Sequence, residues 1–368
     1  MAKIPVAILG ATGAVGQRFV TLLHNHPWFE IAALTGSERT VGRPYGELVR
    51  WVLDDAPPPE IARMIVTPTE EVADVALALS ALPTEAARIS EPLWAEKVAV
   101  CTNASSYRMT PDVPLLIPEV NPDHLSVIER QRAERGWRGC LVANPNCASI
   151  GIVLALKPLH DAFGLTMLHA ATLQAISGAG YPGVASLDIL DNVVPNIADG
   201  GEEHKIETEP LKLLGGIEDA RFVDAAIRIS AQVSRVPVTD GHTALLSAKF
   251  ARTPSVEEAI AALKSFQAPE IVRGLPSAPA HTIIVRHEGD RPQPRRDRMA
   301  GAGMSTVVGR VRACPIHDLR LVVLSHNTIR GAAGGALLNA ELLVAAGVLG
   351  QSARRKTEDE RRSLRDEK

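Results

Sequence analysis

The segment IPVAILGATGAVG, residues 4–16, decides how the first part of the chain is expected to fold. Ile4–Leu9 is an apolar run of strand length, and Ala14–His24 has the spacing of a helix. The glycines between them permit a tight turn and a close approach of the backbone to a pyrophosphate at the helix N-terminus. Their spacing is GxxGxxG rather than GxGxxG, but the position directly after the first strand favours a dinucleotide site. The predicted site residues are Gly10, Thr12, Gly13, Ala14, Val15 and Gly16.

Further apolar runs continue this rhythm at Ile31–Leu34, Val75–Leu79 and Val98–Cys101, with amphipathic stretches between them. The alternation predicts an α/β fold with an N-terminal, Rossmann-like, doubly wound parallel sheet over residues 1–146. In residues 147–327 few connections between strand-like runs have the length of a crossover helix, so we expect a second, α+β domain with a mixed or antiparallel sheet. A C-terminal helix within 328–350 is expected to pack back on the first domain. Residues 351–368 form a charged tail.

Composition excludes several classes of protein. The 368 residues carry a net charge of −3 and only 4% aromatics, which favours neither a nucleic-acid partner nor an anionic membrane surface. Neither a run of about 18 apolar residues nor a signal-peptide pattern is seen, so we expect a cytoplasmic protein without a membrane segment. The four cysteines are scattered, which predicts free thiols and no metal site: Cys101, Cys140, Cys147 and Cys314.

The end of the second strand tests NAD against NADP. An NAD site usually has Asp or Glu there for the ribose 2′-hydroxyl, but this chain has Thr35. Ser37, Arg39 and Thr40 could hold a 2′-phosphate instead, although Glu38 is an unfavourable neighbour. The pattern favours NADP, and an ordinary polar loop is the alternative interpretation.

Cys147 follows the predicted strand Cys140–Ala143 and precedes a predicted helix, Ser149–Phe163. A thiol at a helix N-terminus is expected to favour the thiolate, which suits a nucleophile that attacks a carbonyl group. The alternative is a small apolar cysteine in the core.

The segment RVPVTDGH, residues 235–242, is predicted to connect two strands and contains two candidate partners for the cysteine. His242 has a side chain suited to proton transfer near neutral pH. Arg235 can bind a carboxylate through two hydrogen bonds. The alternative is that His242, one of eleven histidines, is a surface or packing residue.

These segments occur together with NASSYR (103–108), QAISG (174–178) and GEEHK (201–205). In this order they resemble the aspartate-semialdehyde dehydrogenase family, in its archaeal and fungal-like branch. The resemblance runs from about residue 4 to residue 345, and its most specific parts are NPNC (144–147) and the Arg-x6-His spacing.

The resemblance implies a role for each matching residue. Cys147 would be the nucleophile, His242 the acid/base and Gln174 a residue that orients the substrate. Arg235 would bind the substrate carboxylate, and Glu202, with Glu203 as second choice, its ammonium group. Phosphate would be held by Arg108 and Lys205 with Asn103 nearby, and the nicotinamide end of the cofactor by Ser177, Gly178 and Asn327.

The family's reaction is the NADPH-dependent reductive dephosphorylation of L-aspartyl 4-phosphate to L-aspartate 4-semialdehyde through a cysteine thioester. The product of this reaction is a precursor of methionine, threonine and isoleucine, and, through diaminopimelate, of lysine. The resemblance further implies a homodimer or homotetramer and assigns catalysis and dimerisation to residues 147–327. An alternative in the same superfamily is malonyl-CoA or succinyl-CoA reduction, which would not need an acidic group for an ammonium. A non-catalytic NADP-binding sensor would be expected to lack Cys147, His242 or Arg235, and all three are present.

Overall fold

The computed structural model describes residues 2–349, and the predicted charged tail, 351–368, lies outside the described residues. The first sheet has six strands in the order β3-β2-β1-β4-β5-β6, and every neighbouring pair is parallel. This order is that of a Rossmann fold, and it confirms the predicted doubly wound sheet. Its strands are β1 (Ile4–Leu9), β2 (Phe29–Gly36), β3 (Thr67–Pro68), β4 (Leu77–Ser80), β5 (Ala99–Thr102) and β6 (Cys140–Ala143).

The second sheet has seven strands in the order β13-β14-β15-β12-β7-β11-β8. The pairs β7–β11 and β13–β14 are parallel and the others antiparallel, which confirms the predicted mixed sheet. Its strands, with the separate hairpin β9–β10, are β7 (Leu165–Gln174), β8 (Val194–Pro195), β9 (Gly216–Glu218), β10 (Arg221–Val223), β11 (Arg228–Arg235), β12 (His242–Phe250), β13 (Ile283–Val285), β14 (Thr306–Ala313) and β15 (Leu319–Ser325).

The helices lie between and around the two sheets, and no helix within residues 2–349 is long and apolar enough to cross a membrane. They are α1 (Ala14–Leu23), α2 (Tyr45–Leu48), α3 (Pro59–Ala62), α4 (Thr84–Ala95), α5 (Ile128–Arg135), α6 (Cys147–Phe163), α7 (Ser186–Ile189), α8 (Gly201–Leu214), α9 (Val256–Ser265), α10 (Glu270–Arg273), α11 (Pro294–Asp297) and α12 (Gly334–Ala345). The 3₁₀ turns are Pro122–Val127, Ile176–Ala179 and Ala300–Gly303, and Ile329–Ala333 is a π-helical turn.

Helix α6 is the structural link between the two sheets. Its apolar residues, such as Ile152 and Leu156, lie in one hydrophobic cluster with Leu141 of the first sheet and Leu246 of the second. The helix begins two residues before the predicted Ser149. The reason is an N-cap, since Asn146 Oδ1 accepts hydrogen bonds from the N–H groups of the first helical turn.

Helix α12 packs against the first sheet. Leu337 and Leu342 belong to the cluster that contains Val6 and Leu79, on the other face of that sheet. The helix spans Gly334–Ala345, inside the range 328–350 expected from the sequence, and the π-helical turn precedes it. That turn passes so close to the start of α6 that a Cβ on Gly331 would lie 2.8 Å from Cys147 Cβ.

A buried ion pair fixes the returning segment. Arg330 donates from Nη1 to Glu119 Oε1 at 2.7 Å and from Nη2 to Oε2 at 2.6 Å. Both side chains are at most 1% exposed, so each depends on the other for its charge to be compensated.

We expect Arg330→Met to lower the free energy of unfolding by about 3–5 kcal/mol, because it leaves Glu119 buried without its partner. Urea denaturation of the purified protein measures this change. The matched control is Arg88→Met, since the Arg88–Glu85 pair is exposed (60% and 80%) and contributes little. A midpoint for Arg330→Met as high as that of the control would contradict this role.

Candidate active site

Cys147 and His242 meet at the junction of the two sheets. Cys147 is the first residue of α6 and His242 the first residue of β12, and Cys147 Sγ lies 3.2 Å from His242 Nε2. The sequence predicted Arg235 and His242 within a connection between strands. They are instead the last residue of β11 and the first of β12, so each side chain is held by the hydrogen-bonded ladder of the sheet.

The backbone determines which nitrogen of His242 carries the proton. Ala175 N–H donates to His242 Nδ1 at 3.0 Å, so the neutral ring has its proton on Nε2, facing the sulfur. Burial, with a smaller effect of Arg235, lowers the pKa of His242 to about 3. At rest the imidazole is therefore neutral and donates towards Sγ, and acting as a base at Nε2 would first require loss of that proton.

The thiol of Cys147 differs from the sequence expectation. Desolvation, followed by the negative charge of Glu202, raises the pKa of Cys147 to about 12, against the effects of Arg108, Arg235 and Lys205. The helix N-terminus does not overcome this, because the N–H groups of Ala148 and Ser149 already donate to Asn146 Oδ1 at 2.9 and 3.2 Å. Cys147 is therefore a neutral thiol at neutral pH.

Glu202 lies beside this pair. Its Oε1 accepts from Asn146 Nδ2 at 2.6 Å and from Gln174 Nε2 at 3.4 Å, and its Oε2 lies 3.2 Å from Lys205 Nζ. Burial raises the pKa of Glu202, but Lys205 and Asn146 outweigh it, and the net pKa is below its usual value. Glu203 faces away and accepts from Val233 N–H at 3.1 Å. The structure thus separates the two acids that the sequence left as alternatives.

Arg235 is buried on the other side of His242. Its Nη1 donates to Ala175 O at 2.9 Å. A Cβ on Gly178 would lie 2.7 Å from that nitrogen and 3.0 Å from His242 Cε1, so a larger residue at this position would displace the guanidinium of Arg235. Asn327 holds Ser177, the residue before Gly178, because its Nδ2 donates to Ser177 Oγ at 2.7 Å. Its Oδ1 accepts from Gly241 N–H at 2.8 Å.

Arg108, the predicted phosphate ligand, is also buried. Its Nη1 donates to Glu209 Oε1 at 2.9 Å and its Nη2 to Asn103 O at 2.7 Å. Asn103 is held in turn, since Asn144 Nδ2 donates to its side-chain oxygen at 2.9 Å. The guanidinium is therefore fixed on two sides.

The glycine turn lies at the carboxyl end of β1. Gly10 has φ +73°, and a Cβ on Gly16 would lie 2.4 Å from Gly10 O, so no larger residue fits there. Gly13 is the N-cap of α1, and no side chain within residues 2–349 caps that helix end. The backbone N–H groups there suit a pyrophosphate.

The loop after β2 presents Ser37 and Arg39 to solvent, while Thr40 Oγ1 donates back to Ser37 O at 2.8 Å. Thr35 is fully buried, and its hydroxyl shares a hydrogen bond of 3.1 Å with Thr69 Oγ1. Its side chain is therefore not directed towards the place where a ribose would bind. Within the described residues no group of three His, Cys, Asp or Glu side chains could hold a metal ion.

Sequence reasoning missed several residues of the site. Asn146 caps α6 and contacts Glu202, the Ala175 amide orients His242, and Glu209 contacts Arg108. A backbone amide leaves no sequence signal. The charged residues of α8 do leave one, because Glu202, Lys205, Glu209 and Lys212 recur at helical spacing and so share one helix face.

The chain is similar to proteins of a known family. Two family models match: "Semialdehyde dehydrogenase, NAD binding domain" over residues 5–128 and "Semialdehyde dehydrogenase, dimerisation domain" over residues 156–330. The chain is 51% identical over 345 residues to an aspartate-semialdehyde dehydrogenase of Archaeoglobus fulgidus, which covers 93% of this chain and 98% of that protein. The chain belongs to the aspartate-semialdehyde dehydrogenase family. This confirms the resemblance noted from the sequence.

Other members of the aspartate-semialdehyde dehydrogenase family are similarly close. The Saccharomyces cerevisiae protein is 42% identical over 359 residues, which cover 93% of this chain and 98% of that protein. The crystal structure of the Candida albicans enzyme with NADP superimposes with a TM-score of 0.86 at 41% identity, covering 94% of this chain and 99% of that one.

The raised pKa of Cys147 predicts its reactivity. The thiolate fraction grows with pH below the pKa, so we expect iodoacetamide to alkylate Cys147 faster with each step from about pH 7 to about pH 10, without a plateau. Glu202→Gln removes a charge that raises this pKa, and should speed alkylation at about pH 8 by roughly threefold to tenfold. Peptide mass spectrometry separates Cys147 from the other cysteines.

The control for this experiment is Glu207→Gln on the same helix, because Glu207 faces β11, where its Oε1 accepts from the N–H of Ala231 at 3.0 Å. A rate that already levels off near neutral pH would instead indicate a preformed thiolate.

The contact with Ala175 predicts the tautomer of His242. With isotope-labelled histidine, NMR should show Nε2 protonated and Nδ1 unprotonated, unchanged from about pH 6 to about pH 8, because the depressed pKa keeps the ring neutral there. His242→Asn assigns the signal by its disappearance. A protonated Nδ1 would exclude the donor role of the Ala175 amide.

Proposed function

We propose that this protein is an NADP-dependent aspartate-semialdehyde dehydrogenase, which reduces L-aspartyl 4-phosphate to L-aspartate 4-semialdehyde and phosphate through a thioester on Cys147. The observation that carries this proposal is the 3.2 Å contact between Cys147 Sγ and His242 Nε2, next to the charges of Arg108, Arg235, Lys205 and Glu202. In the cell the product would supply amino-acid biosynthesis.

The charges around the thiol are complementary to those of this substrate. Arg235 would bind the α-carboxylate, since a guanidinium pairs with a carboxylate through two hydrogen bonds. Glu202 would bind the ammonium group, and its lowered pKa keeps it ionised for that purpose. Gln174, which contacts Glu202, would orient the substrate between them. Arg108 and Lys205 would hold the phosphoryl group, with Asn103 supporting Arg108.

The residues present fit NADP. The Gly10–Gly16 turn leaves room for a pyrophosphate at the start of α1, through Thr12, Gly13, Ala14 and Val15. Ser37, Arg39 and Thr40 would hold the 2′-phosphate, and Ser177, Gly178 and Asn327 the nicotinamide end. When bound, the nicotinamide supplies the hydride that reduces the acyl group.

The side chains of this chain carry out the remaining steps. The sulfur of Cys147 attacks the acyl carbon and forms the C–S bond as the bond between that carbon and the phosphate oxygen breaks. The thiol proton leaves with the phosphate, whose charge Arg108 and Lys205 stabilise. The thioester retains the acyl group at an energy comparable to that of the acyl phosphate. After reduction, the Nε2–H of His242 hydrogen-bonds to the oxyanion of the thiohemiacetal and stabilises its charge. As the C–S bond breaks, this oxygen becomes the carbonyl oxygen of the released aldehyde, and the sulfur leaves as a thiolate that takes a proton from solvent.

Acyl-CoA reduction is the less favoured alternative. A malonyl or succinyl group has no ammonium, so the buried carboxylate of Glu202 next to Gln174 would have no cationic substrate group to bind. The ammonium group of aspartate semialdehyde would pair with this carboxylate.

We also propose the assembly and division of the chain. The dimerisation family model points to a homodimer formed through the second sheet, whose open face carries the exposed Leu173 and Leu245 on neighbouring strands. Residues 1–146 with the helix of 328–350 would bind the cofactor, and residues 147–327 would carry catalysis and dimerisation. Free thiols such as the buried Cys101 and Cys140 suit a cytoplasmic protein.

Steady-state kinetics test the function. The wild type should reduce NADP with aspartate semialdehyde beyond a single turnover only when phosphate is added, because phosphate releases the acyl group from Cys147. Cys147→Ser should lose at least about a thousandfold in kcat while NADP binding, followed by fluorescence, is retained. Turnover of malonyl-CoA with NADPH, and none of aspartate semialdehyde, would contradict the proposed substrate and support the alternative.

A further inference from the structure

Helix α8 presents four charged residues on one face. Glu202, Lys205, Glu209 and Lys212 are separated by three, four and three residues, which places them in one stripe. The first two lie beside Cys147, as described above. The last two lie deeper, at 2% and 3% exposure, and face the loop that carries Arg108.

Glu209 connects two parts of the site. Its Oε1 accepts from Arg108 Nη1 at 2.9 Å, and its Oε2 accepts from the backbone N–H of Asn146 at 2.6 Å. Asn146 directly precedes the nucleophile and caps its helix. One buried carboxylate therefore holds both the proposed phosphate ligand and the turn that carries Cys147.

Lys212 fixes the backbone around Arg108. Its Nζ donates to the carbonyl oxygens of Arg108, Thr110 and Val113 at 2.9, 3.0 and 2.8 Å. With this loop anchored, the orientation of the Arg108 side chain depends on Glu209 at Nη1 and on Asn103 O at Nη2. A guanidinium has five N–H donors, so others remain for an oxyanion.

On the basis of the proposed function, we propose that Glu209 is a positioning residue, which sets the distance and orientation between the Arg108 guanidinium and the Cys147 sulfur. The reaction needs both groups on one substrate at once, since the sulfur attacks the acyl carbon while the arginine holds the phosphoryl group leaving it. A rigid carboxylate that binds both parts fixes this geometry before the substrate arrives.

A different role would be that of a counter-charge, which only compensates the positive charge of Arg108. Two variants separate these roles. Glu209→Asp keeps the charge but is one methylene shorter, so it cannot reach both partners. Glu209→Gln keeps the length of the side chain, but its amide N–H group would face one of the two donors, Arg108 Nη1 or the backbone N–H of Asn146. Positioning predicts that both variants weaken phosphate binding. A counter-charge predicts wild-type behaviour for Glu209→Asp and tighter phosphate binding for Glu209→Gln.

The test is phosphate-dependent oxidation of aspartate semialdehyde. We expect KM for phosphate to rise about tenfold or more in both variants, the range for loss of a hydrogen bond to a charged group. In the absence of phosphate, the first turnover acylates Cys147 and forms a burst of NADPH. The amplitude of this burst should be unchanged in both variants, because acylation of Cys147 still occurs. Glu207→Gln on the opposite face of α8 is the matched control and should leave both values unchanged.

Coupling to Arg108 is tested in a double-mutant cycle. If Glu209 acts through Arg108, then Glu209→Asp should not raise KM for phosphate further in a chain that already carries Arg108→Met. Full additivity of the two effects, or an unchanged KM for phosphate in Glu209→Asp, would overturn the proposal. A wild type without phosphate-dependent turnover would instead overturn the proposed function itself.

Folding defects are recognised by thermal melting beside the Glu207→Gln control. If neither Glu209 variant folds, hydrogen exchange in the wild type decides the matter. Asn146 N–H should exchange as slowly as the core amides of α6, because Glu209 holds it. Fast exchange of that amide would overturn the proposal.

Discussion

The hydrogen bonds of Asn146 are the interaction on which the site depends. Its Oδ1 caps the helix that begins with Cys147, its Nδ2 donates to Glu202, and its backbone N–H donates to Glu209. The residue thereby connects the first sheet, helix α6 and helix α8 at one place. A helix whose first turn is capped in this way has a defined starting residue, so the sulfur has a defined position. The partners of the sulfur are then arranged around that position by the ends of β7, β11 and β12.

The surroundings of Cys147 and His242 keep both side chains neutral. Burial suppresses the thiolate of Cys147 and the imidazolium of His242, while Arg108, Arg235 and Lys205 supply positive charge next to Glu202. Such a thiol reacts slowly with oxidants and adventitious electrophiles, because the thiolate is the form that attacks them. The thiol and the imidazole are thus uncharged, while Arg108, Arg235, Lys205 and Glu202 lie around the thiol. Fixed charges of this kind need no rearrangement when the substrate's own charges arrive.

Much of this architecture could be predicted from the sequence. The glycine turn after Ile4–Leu9, the parallel sheet and the mixed second sheet follow from hydrophobic patterns, which report burial and period directly. Boundaries were less accurate, as at α6, because a side-chain cap rather than the apolar pattern determines where a helix starts. The protonation of Cys147 could not be predicted, since it depends on burial and on Glu202, which is distant in sequence. The orientation of His242 by the Ala175 amide was equally hidden, because every residue but proline has such a group.

The close approach of Gly331 to Cys147 has a mechanical consequence. The chain leaves the first sheet after β6 and returns to it after β15, so the second sheet is inserted into the first unit through two connections. The two connections lie against each other at Gly331 and Cys147, so a side chain at position 331 would meet the Cβ and the backbone of the first residue of α6. Any substitution of Gly331 therefore has to displace Cys147 itself, although the two residues are far apart in the sequence.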